Sequence, residues 1–195
     1  LIENGYPNYT DDYKWEFNLI EDDQVNAWAM PGGKVAFYTG ILPIAENEAG
    51  VAAIMGHEVA HALANHGQQR MSAGQIQQTV GAVGTIALGN QDQQTQELFT
   101  TAYGIGSQIG IMLPFSRNHE TEADKIGIKL MAIAGYNPDE AAKLWKRMKE
   151  SSGGAGPPQF LSTHPSNDER LNNLQNWSAE AKAEAAKFGV TSFQN

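Results

Sequence analysis

The sequence has no cysteine. That excludes a disulfide framework, a thiolate metal site and a cysteine nucleophile. It leaves the compartment open, because a cysteine-free chain suits reducing and oxidising surroundings alike. Basic residues are scarce, 13 Lys and Arg against 22 Asp and Glu, for a formal charge of −9. Broad nucleic-acid binding wants a basic face, so the charge argues against it, and more weakly against a polybasic membrane-surface patch. Long apolar runs are missing too. The stretches near 81–88 and 103–113 are broken by Gly, Gln and Ser and fall short of the ~18 residues of a membrane span. The chain begins at Leu1 rather than Met, which reads as a mature or trimmed fragment. Any signal, anchor or membrane proximity then belongs to flanking regions.

What is present is enough for a packed core: 41% hydrophobic and 18% charged residues in a 195-residue chain, without repeats. One domain over 1–195 is expected. In "YKWEFNLI" (13–20), Tyr13, Trp15, Phe17 and Leu19 alternate with polar residues, the pattern of a half-buried strand. "VNAWAM" and "KVAFYTG" flank Pro31-Gly32-Gly33 as a hairpin. Residues 13–40 thus predict a small antiparallel sheet of about three strands near the N-terminus. Everything after it reads helical, for an α+β, mostly helical fold.

Asn47 can cap a helix whose apolar residues cover nearly its whole circumference, so that helix is expected to be buried. Residues 67–112, rich in Gly, Gln, Ala and Thr, suggest two helical stretches, either a plain hairpin or a moving lid. A helix over 116–135 opens at Ser116 and closes with Gly135. Another over 137–152 has Asn137 as cap and Pro138 in its first turn; its Trp145 and Met148 are expected in the core. A Gly/Pro loop over 153–166 leads into a last helix over 167–188, with Leu171, Leu174 and Trp177 as its inward stripe.

The first of these helices carries His57-Glu58-Val59-Ala60-His61. At about 100° per residue, His57 and His61 lie about 40° apart, one turn above the other, and both imidazoles can reach one point. Leaving such groups buried without partners costs roughly 1–3 kcal/mol each. A divalent cation, one Zn²⁺ per chain, satisfies both. A catalytic zinc needs a third protein ligand. His66 points about 140° away from His61 by helical geometry and is expected at the surface. His119, Glu120 and Glu122 can each supply the ligand from the 116–135 helix. Spacing favours Glu120, because Asp124 follows one turn later on the same face and can accept a hydrogen bond from a ligand imidazole. Glu122 reads as solvated.

"HEVAH" (57–61), "SRNHETEAD" (116–124), "NAWAMPGG" (26–33) and "THPSNDER" (163–170) stand in the order and spacing of a known family. The chain resembles the CAAX-prenyl-protease-type zinc metallopeptidases, metallopeptidase family forty-eight, with zincin-like fold. The likeness covers roughly residues 13–175. It is strongest to soluble catalytic domains of bacterial periplasmic or membrane-associated quality-control peptidases and their mitochondrial relatives. The resemblance implies His57, His61 and Glu120 as zinc ligands, Glu58 as general base and Asp124 as the carboxylate orienting a ligand histidine. It implies a catalytic role for His164, which stabilises the transition state or reaches the metal in a latent form, with Arg170 associated with it. It makes Asn26, Ala27, Trp28 and Ala29 an edge strand for substrate, and it places the protein in the bacterial periplasm or cell envelope.

The chemistry so implied is zinc-dependent hydrolysis of peptide bonds in extended or unfolded protein segments. Two other classes compete with this metalloendopeptidase. A chaperone-like binding module would keep the metal without proteolysis, so Glu58→Gln would preserve its function. A structural metal site would use His164 as a permanent fourth ligand.

Overall fold

The computed structural model describes residues 12–72, 75, 93, 115–151 and 158–195. The chain forms two compact units, residues 1–66 with 115–195, and residues 67–114. Of the second unit, residues 67–72, 75 and 93 are described and are helical; the rest of the expected 67–112 helices lies outside the described residues. So do residues 153–157 of the expected Gly/Pro loop over 153–166, whose described part differs from a plain loop by holding a short helix over Gln159–Thr163. All elements below belong to the first unit.

Three strands, β1 (Glu16–Ile20), β2 (Ala27–Met30) and β3 (Lys34–Tyr38), form one sheet. β2 and β3 are the expected hairpin, antiparallel with Ala29 opposite Val35. β1 departs from the expected all-antiparallel arrangement. It pairs with β3 in parallel, Phe17 opposite Val35, and the strand order is β1-β3-β2. The connection over 21–26 therefore crosses the end of the central strand instead of turning back beside β1. Gly40 makes the crossing feasible: its N–H donates to the Asp22 carbonyl at 2.8 Å, and a Cβ there would sit 2.2 Å from the Asp23 carbonyl oxygen. This order leaves β2 at an edge. Of the expected inward face, Tyr13 and Trp15, just before β1, are partly buried, whereas Phe17 and Leu19 within it are 55% and 64% exposed.

The helices follow as α1 (Leu42–Ala45), α2 (Glu48–Leu63), α3 (Arg117–Ile133), α4 (Asp139–Glu150), α5 (Gln159–Thr163) and α6 (Asp168–Ala186). Their ends are dictated locally. Asn47 accepts from Gly50 N–H at 2.8 Å, Ser116 from His119 N–H at 3.2 Å, and Asn167 from Arg170 N–H at 2.8 Å. At the end of α3, Gly135 takes φ +91°. Its N–H reaches the Ala132 carbonyl and that of Tyr136 the Met131 carbonyl, the paired bonds of a glycine-terminated helix. α4 starts one residue later than expected, with Asn137 accepting the Asp139 N–H at 3.1 Å.

α2 lies against α3, and α3 and α4 both pack on α6. The core between them holds Ile54, Ile128, Met131, Leu144, Trp145, Met148 and Leu174. Leu171 and Trp177 close it from α6. The α2–α3 contact is backbone on backbone. A Cβ on Gly56 would lie 2.6 Å from the Gly127 carbonyl oxygen, and one on Gly127 would lie 2.8 Å from the His57 nitrogen.

Gly127→Ala should therefore force the two helices apart. The expected cost is about 1–3 kcal/mol, the usual range for overpacking, read as a lowered urea midpoint with an unchanged slope.

Candidate metal centre

α2 presents His57 and His61 on one face, with Glu58 beside them, all three 2% exposed. α3 crosses at Gly127 and so lays its first two turns, with Glu120 and Asp124, against that face. His164 comes from the residue that ends α5, where its N–H donates to the Phe160 carbonyl at 2.9 Å. Phe160 stacks on the His164 ring at 4.5 Å. Arg170 enters from the first turn of α6, which Asn167 caps.

These side chains meet tightly. His57 Nε2 is 3.1 Å from His61 Nε2 and 3.2 Å from His164 Nδ1. The Glu120 carboxylate stands 3.2 Å from His61 Nε2, 3.1 Å from His164 Nδ1 and 3.4 Å from His57 Nε2. A tetrahedral zinc with bonds of about 2.0–2.1 Å has ligand-to-ligand edges of about 3.3–3.4 Å. The measured separations match such a polyhedron. His57, His61, Glu120 and His164 can thus each offer one atom to a single ion. The donor set asks for one. His57 Nδ1 faces Asp124 at 3.0 Å and His61 Nδ1 faces His66 Nδ1 at 3.0 Å. With protons on those outer nitrogens, both Nε2 atoms are lone pairs aimed at each other and at a carboxylate.

Charge around the cluster is organised by Arg170. Its Nε and one terminal nitrogen each donate to Asp124 at 2.7 Å. Its other terminal nitrogen reaches Glu120 and the Pro165 carbonyl, both at 2.7 Å. The guanidinium lies 3.9 Å over the Trp145 ring, which also meets the edge of His57 at 5.3 Å. Burial works against the Asp124 and Glu120 anions. Arg170 nonetheless holds Asp124 low, and His164 and His57 hold Glu120 far below the usual carboxylate range. Burial would lower His57, but Glu120 and Asp124 outweigh it and raise its pKa to about 9. Burial pushes His61 well down and Glu58 up.

The structure brings together His57, Glu58, His61, Glu120, Asp124, His164 and Arg170. Of the β2 residues, Ala29 reaches the site through its main chain, donating its N–H to Glu58 Oε2 at 3.1 Å. Trp28 turns away, its indole N–H going to Tyr38 Oη at 3.3 Å, and Asn26 bonds the neighbouring Ala27 N–H at 3.0 Å. The expectation of a surface His66 is wrong. It is 1% exposed and bonds His61. Helical arithmetic fails there because α2 ends at Leu63 and Asn65 reverses the chain at φ +57°. Asn, one of few side chains that adopt this conformation routinely, was the available signal. Glu122 is exposed as expected, yet one oxygen lies 3.3 Å from His66 Nε2.

The sequence profile of peptidase family M48 matches residues 5–178. The chain is 37% identical over 172 residues to the mitochondrial metalloendopeptidase OMA1 of Schizosaccharomyces pombe, covering 88% of this chain and 49% of that protein. Similarity to the Saccharomyces cerevisiae protein of the same name is 35% over 181 residues, again 88% and 49%. The beta-barrel assembly-enhancing protease of Escherichia coli K12 is 31% identical over 166 residues, 83% of this chain and 34% of that protein. The chain spans about half the length, or less, of these curated relatives.

Arg170→Met should leave Asp124 and Glu120 as buried carboxylates without their counter-ion. The expected loss is about 3–5 kcal/mol, measured by urea unfolding of the metal-free protein. Arg170→Lys should recover only part of it, because an ammonium cannot bridge both Asp124 oxygens.

Proposed function

The chain belongs to peptidase family M48, and from that premise we propose that it is a zinc-dependent endopeptidase acting on extended or unfolded protein segments. The observation that carries the reading is the convergence of His57, His61, Glu120 and His164 at tetrahedral spacing beside the buried carboxylate of Glu58.

His57, His61 and Glu120 would hold the ion, which when bound would supply Lewis acidity for amide hydrolysis. Glu58 is the buried carboxylate beside them that would accept a proton and return it to the leaving amine, the role of a general base and acid. The Ala29 N–H fixes its carboxylate on one oxygen, and burial raises its proton affinity, which suits a group that must hold a proton briefly. Asp124 stands 3.0 Å from His57 Nδ1, placed to orient that ring. The substrate would add to the edge of β2 that no strand covers among the described residues, exchanging the Ala29 N–H bond to Glu58 for one to the substrate main chain. The Tyr38 N–H bonds the Asn26 carbonyl, so Asn26, Trp28 and Met30 pair with β3 while Ala27 and Ala29 turn their main-chain groups outward. Recognition by main chain asks little of the substrate's sequence and favours unfolded segments.

His164 occupies the fourth corner of the cluster and lies 3.3 Å from Glu58 through Nε2. A catalytic zinc would keep that position open, so this imidazole would have to swing aside for turnover. Arg170, whose nitrogens are taken by Asp124, Glu120 and the Pro165 carbonyl, would act through those groups. The same geometry favours one other reading, a structural metal closed by four permanent ligands. Likeness to a beta-barrel assembly-enhancing protease supports quality control in a bacterial periplasm or envelope. The mitochondrial relatives support the same chemistry in a second compartment. No helix among the described residues is long and apolar enough to cross a membrane.

Elemental analysis should find one zinc per wild-type chain and a clear loss in Glu120→Gln. Glu58→Gln should keep its zinc and lose about 10²–10⁴-fold in peptide hydrolysis. His164→Ala should also keep its zinc; loss of the metal there would decide for the structural reading.

A further inference from the structure

His66 stands outside the ligand set, yet like His57 and His61 it is almost without solvent exposure. Its ring is held at both nitrogens. Nδ1 lies 3.0 Å from His61 Nδ1, and Nε2 lies 3.3 Å from Glu122 Oε2. The His119 ring stacks on it at 4.3 Å and 20°, and Phe115 packs against His61 at 4.1 Å. Two Nδ1 atoms at hydrogen-bond distance share one proton. His61 turns Nε2 toward Glu120 and His57, so as a metal ligand it carries its proton on Nδ1. His66 Nδ1 is then the acceptor. The His66 proton must sit on Nε2, where it donates to Glu122.

We propose that His66 is a positioning residue for the metal: it accepts the outer N–H of His61 and, anchored by Glu122, fixes that ligand's tautomer and ring plane. The inference rests on the metal reading above. It gives the two ligand histidines unlike outer partners. His57 leans on Asp124, a buried anion clamped by Arg170. His61 leans on an imidazole backed by a carboxylate that is 59% exposed. A donor chain thus runs from the centre to the surface through His61, His66 and Glu122.

Zinc affinity, measured against a chromophoric chelator, tests the assignment in wild type, His66→Leu and His66→Asn. Asn places an oxygen near the position of Nδ1 and keeps the acceptor, whereas Leu removes it. The expected result is a roughly 10–100-fold loss of affinity in His66→Leu, with most of it restored in His66→Asn. Wild-type affinity in His66→Leu, or equal losses in both variants, would overturn the proposal. Nitrogen–proton correlation spectra of the zinc-loaded wild type need no variant to fold. They should show His66 protonated on Nε2 and bare on Nδ1; the opposite tautomer would overturn the proposal. Wild type that takes up no zinc would sink the metal reading and this inference with it, whereas wild type that binds zinc beside an unaffected His66→Leu would remove this inference alone.

Discussion

Gly56 and Gly127 let two helices touch backbone to backbone, and the site exists only because of that contact. Gly56 immediately precedes His57, so the crossing point and the ligand face coincide. Asp124 and Glu120 lie one and two turns upstream of Gly127 and are thereby delivered to His57 and His61. A side chain at either glycine would separate the helices by more than the site tolerates, since His57 stands 3.0 Å from Asp124 and 3.4 Å from Glu120 across that contact. Close packing here serves geometry more than stability.

That contact creates an electrostatic problem which the rest of the site solves. Glu58, Glu120 and Asp124 are buried within one cluster, with Arg170 as the facing guanidinium. A guanidinium can serve two carboxylates because its planar fork offers several donors. The excess negative charge and the converging imidazole lone pairs both call for a divalent cation. Aromatic rings supply the walls: Trp145 under Arg170 and His57, Phe160 under His164, and Phe115 under His61. They keep the cluster dry, which strengthens each polar contact within it.

Sheet order matters to function in the same way. A simple meander would place β2 in the centre and pair both of its edges. The order β1-β3-β2 leaves one edge of β2 facing Glu58, with the Ala29 N–H already pointing there. The small crossing over Gly40 is therefore what leaves this edge of β2 without a neighbouring strand among the described residues.

Much of this was legible in the residues themselves. The 100° helical step put His57 and His61 on one face, Asn47, Ser116 and the Gly135 stop bounded helices, spacing along one helix favoured Glu120 and Asp124, and the family resemblance implied His164 and Arg170. These are properties of one turn or one short stretch, set by local sterics and local hydrogen bonds. The parallel β1–β3 pairing, the burial of His66 after the reversal at Asn65, and the Gly56–Gly127 crossing were decided by tertiary structure alone. Each depends on which distant segment supplies a partner, and two sequence-adjacent residues carry no record of that choice until the chain has closed around them.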